Sequence, residues 1–305
     1  MLPAGGTCRG DALQHSQNFL RRVSVVKRII GLANLTSRDL VVEIGPGKGI
    51  ITRQLARVCG RVIAVEYDRS LCRDLGRTLD GVENVEVVWG DFRRYRLPDR
   101  EYKVFASIPF NITSDIMTEL TMGVRSPSEA HLVMQAEAAR RFAGRPQDRE
   151  SLKSLMLKPR FELSIVHAFR NTDFRPTPKA KIVLLRMRRR KRLVLTPAEE
   201  RRYRDFLCFV FSEHGAEVAE RLKRLFTRRQ MGRLARENGF ATSARVVDLS
   251  FAQWLAVFRR HVTEAAGDKQ MLVHGAEKRL LRRQGKLTKI HRSRRCSGWQ
   301  GSSGG

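Results

Sequence analysis

The stretch VVEIGPGKG at residues 41–49 places Gly45, Gly47 and Gly49 after an apolar run and before a segment with helical spacing. Glycine has no Cβ, so a backbone that contains it can turn sharply and approach a bound molecule closely. The stretch therefore predicts a strand, a tight turn and a helix, which together begin an α/β domain. The alternative is an ordinary strand-to-helix turn that binds nothing.

Strand-like and helix-like segments alternate through the first half of the chain, as in a sheet with helical crossovers. The strand-like segments are rich in β-branched and apolar residues and cover residues 39–45, 61–68, 84–91, 103–109, 129–135, 161–169 and 180–187. We therefore expect the α/β class, with a doubly wound sheet that an antiparallel pair of strands closes.

After residues 186–192 the pattern changes to short amphipathic helices, and Thr196, Pro197 and Glu199 form a typical helix start. Apolar residues become too sparse beyond position 262 to offset the entropy of ordering. We expect a flexible N-terminus at 1–14, an α/β domain at 15–190, a small C-terminal all-helical domain at 191–262 and a disordered basic tail at 263–305. We expect residues 145–151 to form a mobile loop beside the ligand-binding pocket of the α/β domain.

Lysine and arginine number 59 against 31 aspartate and glutamate residues, which gives a formal net charge of +28. Such an excess predicts a polyanionic partner, either a nucleic acid or a membrane surface. No apolar run approaches the roughly 20 residues that span a bilayer, and no signal peptide is visible, so we expect a cytoplasmic protein without a membrane. The five cysteines form no Cys-x-x-Cys pair, and we expect no metal.

Two carboxylates and an aromatic ring follow the predicted glycine turn. Glu66 ends the second strand, where an acid can accept hydrogen bonds from ribose hydroxyls of NAD, FAD or S-adenosylmethionine. The G-x-G-x-G spacing with Glu43 ahead of it suits a cationic ligand without phosphate, which favours S-adenosylmethionine. Asp91 can accept the adenine amino group while Phe92 packs against the base. For Asp91 alone, a solvated turn aspartate is the alternative.

The tetrapeptide SIPF ends the fourth predicted strand. An adenine amino nitrogen is a poor nucleophile because its lone pair is delocalised into the ring. Acceptors at Ser107 Oγ and the Ile108 carbonyl can draw that nitrogen toward a tetrahedral geometry. Pro109 would fix the turn, and Phe110 would stack on a base swung out of RNA. The alternative is a strand end with Phe110 in the core.

Several motifs in the same order resemble the rRNA adenine-N6 methyltransferases, and the helical region resembles the Erm family of erythromycin-resistance methylases. The motifs are HSQNFL, EIGPGKG, AVEYD, GDF, SIPFNIT and FRPTPKAKIVLLRM, and the resemblance covers roughly residues 15–260. It is specific as a set, although no single motif would suffice. The resemblance implies a Rossmann-like class I S-adenosylmethionine methyltransferase sheet.

The resemblance also implies roles for individual residues. The cofactor positions would be Gln17, Asn18, Leu20, Gly45, Gly47, Glu66, Asp91, Phe92 and Ser107. The catalytic tetrapeptide would be Ser107, Ile108, Pro109 and Phe110. The family usually has Asn and Tyr where this chain has Ser107 and Phe110, so the resemblance leaves open whether the product is mono- or dimethyladenosine.

An Erm-like enzyme would methylate N6 of one adenine in 23S rRNA. We expect its substrate to be naked or pre-assembly large-subunit RNA, and we expect it to act as a monomer. The modification would confer resistance to macrolides, lincosamides and streptogramin B. One alternative is a dimethyltransferase acting on small-subunit rRNA, which shares every cofactor motif. Another is a non-catalytic RNA-binding or transcription factor on the same scaffold.

Two basic runs are candidates for RNA contact, because RNA phosphates are held by lysine and arginine. RMRRRKR lies at the predicted domain junction, and residues 221–236 contain seven basic residues and no acidic one. The alternative for each run is a solvated surface. The predicted RNA-binding residues are Arg186, Arg188, Arg189, Arg190, Lys223, Arg224, Arg228 and Arg229.

Overall fold

A seven-stranded sheet forms the centre of the first part of the molecule. The structure is a computed structural model that describes residues 19–108, 112–123 and 125–284. The strands of the sheet are β2 (Leu40–Ile44), β3 (Arg61–Glu66), β4 (Val85–Trp89), β5 (Lys103–Ser107), β6 (Glu129–Gln135), β7 (Phe161–Ala168) and β9 (Ile182–Arg189). Their order is β4-β3-β2-β5-β6-β9-β7, and β9 is antiparallel to both neighbours. The prediction of an α/β sheet closed by antiparallel strands is confirmed.

Helices precede or connect the strands of this sheet. They are α1 (Val23–Gly31), α2 (Ile50–Ala56), α3 (Arg69–Thr78), α4 (Thr113–Met122) and α5 (Ala136–Ala143). The central strand β2 is buried at every position. Its sequence is accordingly apolar throughout, except at Glu43. Helices α1 and α2 pack on the sheet face that carries Val41, Val62 and Phe105, and α3 packs by Leu75 on Ala64. These helices leave the carboxyl ends of the strands as the edge from which the loops emerge.

A short two-stranded ladder ties the start of the described chain to its middle. Strand β1 (Phe19–Leu20) pairs with β8 (Phe174–Arg175) in an antiparallel arrangement. Leu20 and Phe174 are both buried in the core that α1 and α2 form with the sheet. The ladder therefore holds Phe19 and Leu20 in a defined place.

Helices alone form the second part of the molecule. They are α6 (Leu152–Leu157), α7 (Pro197–Ser212), α8 (Val218–Leu222), α9 (Arg228–Glu237), α10 (Phe251–Glu264) and α11 (Gly267–Val273). Thr196 caps α7 through Glu199 and Thr227 caps α9 through Gln230, each in a reciprocal capping box, as the sequence predicts. Tyr203, Phe206 and Trp254 are fully buried in the helical core. The small C-terminal all-helical domain is confirmed as a feature of the fold.

The helical unit takes its residues from two stretches of the chain. Of the described residues, one compact unit contains those up to 148 and those in 160–192, and the other contains 149–159 and 193–284. The expected uninterrupted domain at 15–190 is therefore wrong in this detail. Glu150 is buried and ion-paired with Lys158, which also corrects the expectation of a mobile loop at 145–151.

The expected disordered tail begins too early. Residues 267–273 and 276–284 are helical, and Val273 and Ala276 belong to the core of the helical unit. Arg204 of α7 forms an ion pair with Glu277, so charge pairing as well as apolar contact orders this segment. The predicted segments 1–14 and 285–305 lie outside the described residues. Within residues 19–108, 112–123 and 125–284, no helix combines the length and apolarity needed to cross a bilayer.

Candidate active site

Four neighbouring parallel strands end together and place the predicted site residues at one edge of the sheet. In the ladder Ile44 lies opposite Val65 and Ala106, and Glu66 lies opposite Trp89. The glycine turn after β2, Glu66 at the end of β3, Asp91 just after β4 and Ser107 at the end of β5 therefore share the carboxyl edge. This is the edge at which open α/β sheets bind ligands.

The glycine turn adopts a backbone that other residues rarely take. Gly45, Gly47 and Gly49 have φ angles of +68°, +54° and +74°. A Cβ added to Gly47 would lie 2.7 Å from a ring carbon of Phe19, which packs over the turn beneath the Lys48 ammonium. Phe19 is thus a site residue that the sequence reading missed, although it stands next to the predicted cofactor residues Asn18 and Leu20.

Glu66 ties the glycine turn to the end of the second parallel strand. Its Oε2 accepts a 2.9 Å hydrogen bond from the Gly47 amide, and its Oε1 accepts a 2.9 Å bond from the Asp68 amide. The side chain is almost fully buried, and this burial raises the pKa of the carboxyl despite the two hydrogen bonds. Each oxygen keeps further lone-pair capacity, so hydroxyl donors can still bind there.

Asp91 is held by an arginine two residues along the chain. Arg93 donates from its backbone amide, Nε and Nη2 to the two carboxylate oxygens, and this pairing lowers the pKa of Asp91. The Arg93 Nη1 atom also lies 3.5 Å from Asp115 Oδ2 in the first turn of α4. Phe92 is buried beside Asp91. Arg93 is a second residue of this edge that sequence reasoning did not find.

Ser107 and Ile108 end the strand next to the glycine turn. A Cβ added to Gly45 would come within 3.6 Å of the Ser107 carbonyl oxygen, so the two chain segments approach closely. Ser107 is partly exposed, and the Ile108 amide donates a 3.0 Å hydrogen bond to the Val133 carbonyl. The predicted residues Gln17, Asn18, Pro109 and Phe110 lie outside the described residues.

Glu43 is a buried acid directly beneath the turn. The residue is only 1% exposed, and neither carboxylate oxygen has a hydrogen-bond partner. Burial raises its pKa to about 8; the neighbouring Thr52 hydroxyl acts in the opposite direction, and Glu66 nearby adds to the rise. A cationic group bound nearby would lower this pKa and favour the ionised acid, so the position beneath the glycine turn is compatible with a ligand that carries positive charge.

The basic run at the end of β9 lies at the opposite edge of the sheet. Because β9 is antiparallel to β6, Arg186 and Arg188 stand beside the first residues of β6, far from the carboxyl edge. Arg186 is paired with Glu129, and Arg188 and Arg190 are paired with Glu162. Arg189 donates to the Ser126 carbonyl. The sequence reading did not anticipate either this location or these acidic partners.

The basic run in the helical unit is more accessible. Lys223, Arg224, Arg228 and Arg229 are exposed around the end of α8 and the first turn of α9. Arg224 pairs with Glu213 and lies 5.5 Å from the centre of the Phe209 ring. Within the described ranges, no group of three or more His, Cys, Asp or Glu side chains is arranged to hold a metal ion.

The fold and this edge define an α/β enzyme that binds an adenosine-containing cofactor. The family described as "Ribosomal RNA adenine dimethylase" matches residues 12–262. The chain belongs to this family and is an S-adenosylmethionine-dependent methyltransferase, as its sequence resemblance implied. The glycine turn, the hydroxyl-accepting Glu66 and the unpaired Glu43 suit that cofactor, whose methionine end is cationic.

Individual relatives are similar over most of the chain. An "rRNA adenine N-6-methyltransferase" of Saccharopolyspora erythraea is 32% identical over 81% of this chain, which spans 64% of that protein's length. Its counterpart in Aeromicrobium erythreum is 34% identical over 74% of this chain and 67% of its own length. The crystal structure of "23S rRNA methyltransferase ErmE" has a TM-score of 0.75 and 32% identity, and the match covers 81% of this chain and all of that one.

Proposed function

We propose that this chain transfers a methyl group from S-adenosylmethionine to N6 of one adenine in 23S rRNA. The arrangement of the glycine turn, Glu66, Asp91 and Ser107 at one sheet edge carries the proposal, because it combines a cofactor pocket with acceptors for an amino group. The 32% identity to a protein named as a 23S rRNA methyltransferase supports the choice of large-subunit RNA. Methylation there would confer resistance to macrolides, lincosamides and streptogramin B.

The residues of the chain would act mainly by orientation. Glu66 would bind the ribose hydroxyls, and Asp91, fixed by Arg93, would accept the adenine amino group of the cofactor. The bound cofactor supplies an electrophilic methyl group on a sulfonium. Ser107 Oγ and the Ile108 carbonyl oxygen would accept hydrogen bonds from N6 of the target base and free its lone pair for attack.

No general base is required by this scheme. The methylated nitrogen is strongly acidic and releases its proton to solvent. A serine at 107 offers one acceptor oxygen on a short side chain, and a phenylalanine at 110 offers a stacking face without a hydroxyl. These two departures from the usual Asn and Tyr leave the number of methyl groups open, and mass spectrometry of digested rRNA would distinguish mono- from dimethyladenosine.

Contact with RNA is proposed for both basic runs, with the larger share in the helical unit. Lys223, Arg228 and Arg229 are exposed, whereas the carboxylates of Glu129 and Glu162 partly neutralise the arginines of β9. We further propose a monomer that acts in the cytoplasm on naked or incompletely assembled large-subunit RNA. The large positive charge supports a polyanionic substrate of this kind.

Transfer of labelled methyl groups tests the proposal directly. Unmodified 23S rRNA and small-subunit rRNA are supplied separately with labelled S-adenosylmethionine, and the modified base is mapped. We expect labelling of one adenine in 23S rRNA only. A "Ribosomal RNA small subunit methyltransferase A" of Acaryochloris marina is 29% identical over 79% of this chain. If only small-subunit RNA is labelled, the proposal is wrong and the chain is a small-subunit rRNA methyltransferase instead.

A calorimetric titration with S-adenosylmethionine addresses the second alternative. A catalytic enzyme must bind the cofactor, and a scaffold that serves only as an RNA-binding factor has no such requirement. No heat of binding, with RNA binding retained, would support the non-catalytic reading.

A further inference from the structure

Trp89 is an exposed indole at the rim of the candidate active site. It is the last residue of β4, the outermost strand on that side of the sheet, and it is 59% exposed. A tryptophan buries more apolar area than almost any other side chain when it packs, so such exposure at the end of a strand calls for an explanation.

The core beneath β4 does not use this ring. Val85 and Val87, which share a sheet face with Trp89, pack on Ala64 and on α3 through Leu75. Trp89 lies one step further along the same face, beyond the end of that cluster. Its removal therefore takes little from the folded core.

Two contacts hold the indole in a fixed orientation. Its Nε1 donates a 3.1 Å hydrogen bond to the Tyr67 carbonyl, so the only polar atom of the ring is already satisfied. The Arg69 guanidinium lies 5.3 Å from the ring centre, within the range of a cation–π contact. A ligand can therefore contact the aromatic face of the Trp89 indole, which is held in one orientation beside the positive charge of Arg69.

The ring is within a short distance of the target-base position. Trp89 is the direct ladder partner of Glu66, and the order β4-β3-β2-β5 separates it from Ser107 by three strand spacings. Three spacings amount to about 14 Å. A few nucleotides of an unstacked strand can cross that distance.

We propose that Trp89 stacks on an unpaired base of the rRNA substrate, a few nucleotides from the adenine that enters the active site, and that Arg69 supports the indole and attracts the adjoining phosphate. Every nucleobase has an aromatic face, and single-stranded RNA is commonly bound by stacking on such rings beside basic side chains. The exposed Arg94 adds positive charge at the same rim, whereas Arg93 is already paired with Asp91 and Asp115. The inference rests on the proposed function, since it assigns a second subsite for the same RNA.

Equilibrium binding of unmodified 23S rRNA, measured by filter retention at several salt concentrations, tests the subsite. Trp89→Ala should weaken binding about tenfold, whereas Trp89→Phe, which keeps an aromatic face, should stay within about threefold of the wild type. Stacking releases no counterions, so the slope of log K against log salt should not change in Trp89→Ala. Arg69→Ala should weaken binding and also reduce that slope by up to about one.

Three controls make the outcome decisive. Met122→Ala removes another exposed apolar side chain of the α/β unit and should bind RNA as the wild type does. Thermal unfolding establishes that each variant is folded, and calorimetry measures its affinity for S-adenosylmethionine, which should be unchanged in Trp89→Ala.

The outcomes separate the subsite from the enzyme. If Trp89→Ala binds RNA as tightly as the wild type, the stacking subsite is wrong but the proposed function stands. If Trp89→Ala instead loses affinity for S-adenosylmethionine, the ring belongs to the cofactor pocket. If the wild-type chain neither binds nor methylates 23S rRNA, the proposed function itself fails.

Discussion

The Arg93 guanidinium donates hydrogen bonds to both carboxylate oxygens of Asp91, with Nη2 2.6 Å from Oδ2 and Nε 3.0 Å from Oδ1. The same guanidinium reaches Asp115 at the start of α4, the helix that follows the SIPF turn. One arginine thus fixes the acid proposed for the cofactor adenine and links it to the segment proposed for the target base. The pair is partly exposed, so orientation of Asp91 is its main contribution and stability a minor one.

Arg93→Ala should weaken S-adenosylmethionine binding because Asp91 loses the partner that orients it. We expect a loss of about tenfold, equivalent to ~1.4 kcal/mol, measured by calorimetry on RNA-free protein. Arg96→Ala is the matched control, since it breaks a more exposed pair with Asp99. Equal cofactor affinity in both variants would mean that cofactor binding does not depend on the orientation that Arg93 gives Asp91.

Gly47→Ala should disrupt the cofactor turn. The residue has φ of +54°, and the new Cβ would lie 2.7 Å from a carbon of the Phe19 ring, so either the turn or the ring must move. We expect cofactor affinity to fall by about tenfold or more. Gly76→Ala adds the same methyl group in α3 where nothing lies within 4 Å, and it should leave cofactor binding unchanged and slightly stabilise the helix.

Glu43→Gln should flatten the pH dependence of stability. The native pKa of Glu43 is about 8 and its ordinary value is 4.5, so between these values the native state keeps a proton that the unfolded state has lost. Stability therefore falls as pH rises from about 4.5 to 8, by on the order of a few kcal/mol for this group.

Urea unfolding of cofactor-free protein at pH 5 and pH 8 measures the effect. The difference in unfolding free energy between the two pH values should be smaller in Glu43→Gln than in the wild type. Glu83→Gln alters an exposed carboxyl and should retain the wild-type difference. A wild-type difference in both variants would mean that Glu43 ionises normally.

RNA binding should depend on salt mainly through the helical unit. Replacing Arg228 and Arg229 by alanine should lower the slope of log K against log salt by up to about two, because each phosphate contact releases roughly one counterion. Arg188→Ala should change the slope less, since Glu162 already pairs with Arg188. The opposite ranking would place the main RNA surface at the amino edge of the sheet.

The parts of the site that local sequence specifies were predictable. A glycine turn after a buried strand, and acids at the ends of the following strands, can be recognised in the sequence. The position of a residue along a parallel strand determines the sheet edge at which it lies, so these residues were correctly predicted to share one edge. Arg93 was not predictable, since an arginine near an acid is common and only the short helical turn after Asp91 brings them together. The location of Arg186–Arg190 was missed because it depends on the direction of β9, which a single apolar run does not reveal.

The helical unit shows a different limit of sequence reasoning. Residues 145–151 are predicted to form a mobile loop, yet Glu150 is buried and paired with Lys158, and Leu155 of the helix that follows enters the helical core. Residues 267–284 look too polar to fold, but Val273, Ala276 and the pair between Arg204 and Glu277 order them. Contacts between distant parts of the chain decide both cases, and composition averaged over a window cannot register them.

Because α6 reaches the helical unit from within the sequence of the α/β unit, the chain passes from one unit to the other three times. If the chain were cut after residue 190, the N-terminal fragment would keep residues 149–159 without the other helices that they pack with. The C-terminal fragment would lack Leu155 and the Glu150–Lys158 pair. Exchanging the whole helical unit between relatives therefore requires two simultaneous grafts, one at 149–159 and one from 193 onward.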